Sequence, residues 1–212
     1  ANFDAGGCDM VVYFKDWADI ESHYDERFDL TGLTPAEQEL KDAVASGEIC
    51  DFSSNLPIEN ALPPKPDNWD EPDPTRHIRA DVLRFVLLQK VKHGEMTEAG
   101  TQLVGAQISG VLDLNFTIIP TVCGLIACRF KNAIEANRAQ FKSLASFDQS
   151  TLPTLFAMGA TITGQLSCNG VRFETTNGKA LTLQGAQIGD SLFLSYITAV
   201  STIDLNSATI TG

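Results

Sequence analysis

The sequence predicts a mainly β fold: a right-handed parallel β-solenoid of about 22 residues per coil, preceded by an α-helical N-terminal region. Three observations predict it. Apolar residues recur at a fixed spacing through the C-terminal half. Helical periodicity and proline are concentrated before residue 99. The charge divides at the same place: residues 1–98 hold 21 acids against 9 Lys and Arg, and residues 99–212 hold 6 of each. The expected organisation is therefore an acidic helical region at 1–98, with a proline-rich arm and a capping helix, and a repeat domain at 99–212.

The repeat is read most easily from Leu155-x-Ala157-x-x-Ala160-x-Ile162. Eleven residues on stands Leu166-x-Cys168-x-x-Val171-x-Phe173, and after an insertion Leu181-x-Leu183-x-x-Ala186-x-Ile188. Leu192-x-Leu194 with Ile197 and Ala199, then Ile203-x-Leu205-x-x-Ala208-x-Ile210, complete the series. All twenty slots are apolar, whereas a chain of 43% apolar content would fill fewer than half by chance. Side chains two apart on a strand share a face, so slots one and three are buried by one short strand and slots six and eight by the next. Two such units close a coil whose apolar side is buried only against neighbouring coils. Earlier turns fit more loosely, through Ala106 and Ile108, Leu112 and Leu114, Leu125, Cys128 and Phe130, Ile134 and Ala136, Ala139 and Phe141, then Leu144. Residues 174–180 form an inserted loop with an Asn-Gly turn. Leu155, Leu181 and Ile203 are expected on one face.

Before the repeat, a short apolar run from Met10 to Phe14 leads into an amphipathic helix with Trp17, Ile20, Tyr24 and Phe28 along one stripe. A second helix begins at Thr34-Pro35-Ala36-Glu37, a capping-box pattern with proline in the first turn, and ends near Ser46-Gly47. Six prolines between Pro57 and Pro74 make residues 52–74 a wrapping arm. Trp69 sits in it among Asp67, Asp70, Glu71 and Asp73. A third helix is expected over 75–92, covering the first coil through Ile78, Val82 and Phe85 and ending at Gly94. The last coil stops in mid-pattern at Ile210-Thr211-Gly212. An open end of that kind predicts a chain that continues or subunits that stack end to end as a homo-oligomer.

The acidic balance, −12 overall, disfavours direct nucleic-acid binding, which needs a basic patch. No run approaches the ~18 apolar residues of a membrane span. Ala1 to Ala5 carry no signal-peptide pattern, although a chain opening on Ala1 implies a processed or trimmed N-terminus. The five cysteines form no C-x-x-C pair, so neither a zinc site nor a disulfide framework is expected, and a reducing, cytoplasmic compartment is favoured.

The pattern resembles bacterial pentapeptide-like repeat proteins often labelled "membrane-associated oxidoreductase". The residues that carry the resemblance begin with Arg79-Ala80-x-x-Leu83-Arg84 and Gly105-Ala106-x-Ile108-x-Gly110-x-Leu112-x-Leu114. Cys128-x-Phe130 and Gly159-Ala160-x-Ile162-x-Gly164-x-Leu166-x-Cys168 complete them. It covers about residues 31–212 and implies a right-handed β-helix. The label implies an oxidoreductase, but no motif here supplies one. Gly105, Gly110, Gly185 and Gly189 lack dinucleotide-fold spacing and context, and Gly178-Lys179-Ala180 is not a P-loop. His23, His77 and His93 stand alone on predicted helices, and Cys128 and Cys168 fall in inward slots.

No catalytic residue, cofactor or metal site is therefore assigned. The favoured function is a non-catalytic scaffold or protein-interaction module with Trp17, Tyr24, Asp67, Trp69, Asp70 and Glu71 as contact residues for a protein partner. The first alternative is an enzyme, an oxidoreductase with its site between the N-terminal helices and the first coils, near His77, His93 and the arginines. The second is an acidic DNA mimic that inhibits a nucleic-acid enzyme.

Overall fold

A computed structural model describes residues 32–53, 56–69, 71–88 and 99–212. The expected run at Met10–Phe14, the stripe with Trp17 and Tyr24, and Asp70, His93 and Gly94 lie outside the described residues.

From Thr101 onward the chain winds through about five coils of roughly 22 residues, and each coil has four short sides. Equivalent sides stack as parallel strands, so the solenoid has four sheet faces. In the first complete coil the faces are entered at Thr101–Val104, Gln107–Ser109, Leu112–Asp113 and Ile118–Ile119. These four are called faces 1 to 4. Face 3 stacks Leu112, Ile134, Leu155, Leu181 and Ile203 in register, as the repeat requires. On face 4 the inward ladder is Ile119, Phe141, Ile162, Ile188 and Ile210. These side chains are buried until the last coil, and full burial of each contributes about 1.5–3 kcal/mol. The step from Leu166 to Leu192 on face 1 is longer because it absorbs the loop at 174–178.

The eleven-residue unit has a backbone explanation. After slot three the chain makes a β-turn, and the slot-three carbonyl accepts a hydrogen bond from the slot-six amide. Ala136 O with Ala139 N (3.1 Å), Phe147 O with Ser150 N (3.1 Å) and Leu183 O with Ala186 N (2.9 Å) are examples. The third residue of each turn has positive φ, as in type II turns. Gly105, Ala127, Gln149, Gly170 and Tyr196 hold this place after face 1, and Phe116, Arg138, Gly159, Gly185 and Ser207 after face 3.

One slot differs from the sequence reading. Leu144 was expected inward, but Ala145 pairs with Cys123 and Leu166 and is fully buried, and Leu144 lies half-buried outside the ladder. The coil compensates through Phe147, which is also buried two residues on. A small slot one with a large slot three fills the same space as Leu166 with Cys168.

The first coil is closed on every side. Cys50–Asp51 (β1) pairs with Leu103 and Val104 on face 1, and His77–Arg79 (β2) pairs with Gln107–Ser109 on face 2. Ala80–Leu88 (α2) lies against the first strands of faces 3 and 4. Pro35–Ser46 (α1) packs on β1, β2 and α2 through Ala36, Leu40 and Val44. The expected helix over 75–92 is corrected here: residues 77–79 are a strand, and the helix begins only at Ala80. Ile78 is buried as a strand residue and Val82 and Phe85 as helix residues. The exposed edge of face 2 needs main-chain partners, and satisfying it overrides the helical periodicity of Ile78, Val82 and Phe85. Among the described residues no helix is long and apolar enough to cross a membrane.

The arm is seated on the outside of the solenoid. Ala61 and Leu62 pack against Val104, Ile126 and Ala127. Arg129 Nε donates to Pro63 O (2.9 Å) and Gln107 Nε2 donates to Pro64 O (3.1 Å). Gly105 lies beneath the arm with φ +73°, and a Cβ there would meet Ser53 N at 3.1 Å and Ala61 O at 3.2 Å. Gly105→Ala is therefore expected to destabilise the protein by about 1–2 kcal/mol from the left-handed backbone alone. It should also loosen the arm. Thermal melts and limited proteolysis check it: the melting temperature falls, and new cleavage appears within residues 54–66. An arm as protease-resistant as wild type would show that the close approach does not hold it.

Candidate interaction surfaces

The residues with chemical capacity near the first coil are engaged in holding the cap. Glu37 is completely buried. Its Oε2 accepts from Thr34 N and Arg79 Nη2, both at 3.0 Å, and its Oε1 accepts from Arg79 N (2.8 Å) and Nε (3.0 Å). Thr34 Oγ1 accepts from Glu37 N (3.1 Å) and donates to His77 O (2.9 Å). His77 Nε2 and Ser109 Oγ share a hydrogen bond of 2.7 Å across the junction of β2 and face 2. Burial lowers the His77 pKa, and the nearby Glu37 carboxylate opposes that shift. The neutral imidazole is therefore favoured at this contact.

Cys50, Cys123, Cys128 and Cys168 are free thiols, all buried. Burial pushes Cys50, Cys123 and Cys128 up to about 12, and pushes Cys168 upward as well. Thiols in this state are poor nucleophiles and poor metal ligands. Among the described residues no group of three or more His, Cys, Asp or Glu side chains gathers in a metal-holding arrangement.

The contact residues expected from the sequence fall into two sets. Trp17, Tyr24 and Asp70 lie outside the described residues. Asp67 and Glu71 are exposed on the arm, with Trp69 half-buried between them in sequence. The arm here is shaped by its own main chain: Glu71 N donates to Asn68 O (3.3 Å). Asp73 accepts from Thr75 Oγ1 (2.7 Å) and Thr75 N (3.0 Å), bonds that lower its pKa and fix the turn into β2.

A second surface has no counterpart among the expected contact residues. The corner between faces 3 and 4 carries a shallow groove of about 650 Å³, with Phe116, Arg138 and Met158 among its lining residues. Phe116 is 72% exposed and Met158 43%. The Arg138 guanidinium lies 5.7 Å from the centre of the Phe116 ring. The sequence held one clue to it. Phe116 and Arg138 occupy the turn place that is Gly159 and Gly185 in later coils, so aligning the turns as well as the apolar slots exposes them.

The last coil is the least covered: Leu205 and Ile210 are 39% and 44% exposed in slots that are buried elsewhere. No protein-family model, curated protein or solved structure matches the chain.

Proposed function

We propose that the protein is a non-catalytic scaffold, a rigid solenoid that presents its acidic arm to a basic surface on a protein partner. The observation that carries this reading is how the arm is held. Its attachment uses Ala61, Leu62 and the carbonyls of Pro63 and Pro64, so Asp67 and Glu71 stay exposed. An epitope fixed by its backbone loses little conformational freedom on binding, which favours affinity. Trp69 beside two carboxylates supplies an aromatic anchor within an acidic rim. The resemblance to pentapeptide-like repeat proteins supports the reading at the level of fold only. The oxidoreductase alternative would place its site at the cap junction, where His77, Ser109, Glu37 and Arg79 already bind one another.

Partner capture with the intact chain tests the proposal. The triple variant Asp67→Lys, Trp69→Ala, Glu71→Lys is expected to lose at least about tenfold in captured partner at an unchanged melting temperature, and wild-type capture should weaken with added salt. Undiminished capture by the variant would show that the arm only covers its own solenoid. Visible and near-ultraviolet absorption with elemental analysis of the purified protein addresses the enzyme reading, since a stoichiometric flavin, nicotinamide or redox metal would overturn the scaffold.

A further inference from the structure

The groove at the corner of faces 3 and 4 combines an exposed aromatic ring on a left-handed backbone with an exposed guanidinium. Phe116 has φ +58°. The left-handed region is disfavoured for a bulky side chain, and the later coils place Gly159, Gly185 and Ser207 at the equivalent position. The ring remains largely exposed. Arg138 has φ +55° at the next coil, and its guanidinium has no hydrogen bond or ion pair among the described residues beyond its place over the Phe116 ring. No carboxylate lines the groove.

The corner itself is rigid. Asn115 Oδ1 accepts from Asn137 N (2.9 Å), and Asn137 Oδ1 accepts from Met158 N (3.1 Å). Asn115 Nδ2 donates to Glu135 (2.9 Å). These bonds tie each turn to the next coil, so Phe116, Arg138 and Met158 are held at fixed separations along the solenoid axis. The lining runs from Asn115 in the first coil to Ser207 in the last. At about 4.8 Å per coil that is a track of about 19 Å, the length of roughly six extended residues.

We propose that this groove binds an extended acidic peptide segment of a protein partner, one that places an apolar side chain against Phe116 and Met158 and a carboxylate on Arg138. Charge complementarity selects the occupant: the groove offers one unpaired guanidinium, no acid and two exposed apolar side chains. A bidentate carboxylate satisfies the guanidinium fork, and an aliphatic or aromatic side chain covers the ring and thioether. The proposal deepens the scaffold reading and rests on it. It uses a different surface from the acidic arm and the opposite charge logic.

Selection from a random hexapeptide library on the intact chain tests it. Enriched peptides are expected to carry Asp or Glu beside Leu or Phe, and a synthetic copy of the most enriched one should bind Arg138→Glu and Phe116→Gly proteins at least about tenfold more weakly. Phe116→Gly relieves the left-handed strain, so its melting temperature should equal or exceed that of wild type by up to about 3 °C. That separates lost binding from lost folding. The triple variant of the arm should bind the peptide normally, so failure of the arm proposal and of the groove proposal are distinguishable. No enrichment, enrichment of basic peptides, or binding indifferent to both groove substitutions would overturn the proposal. If a hexagalacturonate probe binds with the same sensitivity while no peptide does, the groove takes an anionic glycan and the peptide assignment fails.

Discussion

Between about pH 9 and pH 10 the protein is expected to lose roughly 4–5 kcal/mol of stability, an unusually steep alkaline limit. The cause is the set of buried thiols. Cys123, Cys128 and Cys168 fill inward slots of the solenoid, and Cys50 sits in β1, paired with Leu103 on the first coil. Burial opposes the thiolate at all four, holding Cys50, Cys123 and Cys128 at about 12. In the unfolded chain a thiol ionises near its ordinary value of about 8.5. The sign follows directly. Above that value the unfolded state has shed protons that the native state keeps, so stability falls as pH rises. It is complete below about pH 8.5 and declines by about 1.4 kcal/mol per thiol per pH unit toward the folded values. Urea titrations at a series of alkaline pH values measure the slope. Replacing Cys123, Cys128 and Cys168 together by Ala should remove most of it while costing little packing, since Ala already fills equivalent slots such as Ala157 and Ala160. An unchanged slope in the triple variant would show that other groups set the alkaline limit. Burial also holds these four thiols protonated at about pH 8, so they should react with a thiol reagent only after unfolding.

The same slots show which parts of the fold were legible in the sequence. Leu155, Leu181 and Ile203 mark their coils plainly because Leu or Ile fills the first slot and a small residue fills the sixth. The earlier coils blur that signal for physical reasons. Ser150 stands in a sixth slot, where its hydroxyl donates to Leu125 O (2.8 Å) and accepts from Cys128 N (2.9 Å), so a polar residue is stable in an apolar position. Ala145 with Phe147 exchanges the usual sizes of slots one and three, and this draws the reading one residue off to Leu144. Residues 77–79 satisfy helical and strand periodicity equally. Only the unpaired edge of face 2 decides between them, and an edge is a property of the folded solenoid. The groove was hidden for a related reason. Turn positions with positive φ are ordinarily recognised through glycine, and at the first two coils of that corner they are Phe116 and Arg138. The capping box at Thr34 and Glu37 was readable because it is local, whereas its second role was not, because Arg79 lies 42 residues away.

That second role makes Glu37→Ala the substitution with the largest expected effect on the cap. The carboxylate satisfies Thr34 N at the start of α1, and Arg79 N and the Arg79 guanidinium at the end of β2, with no exposure to water. Removing it leaves two main-chain donors unsatisfied and takes a buried carboxylate away from a guanidinium whose side chain is only 27% exposed. Breaking a buried pair from one side costs about 3–5 kcal/mol, or roughly 10 °C in melting temperature for a chain of this size. Glu37→Gln keeps an acceptor for the main-chain donors and loses only the charge, so it should fall between wild type and Ala. The loss should also be local at first. Contacts in a solenoid run from each coil to the next, so releasing α1 and β2 exposes the strand edge of Gln107–Ser109 before it reaches the later coils. Hydrogen exchange resolves this. In Glu37→Ala, amides of α1, β2 and the first coil should exchange faster, and those at Leu166 and Leu181 should change least. Uniform acceleration along all the coils would mean that the cap and solenoid unfold as one cooperative unit, with no separate latch. A Glu37→Ala protein as stable as wild type would mean that the desolvation of the pair cancels its attraction, and that β1, β2 and α2 hold the first coil closed without it.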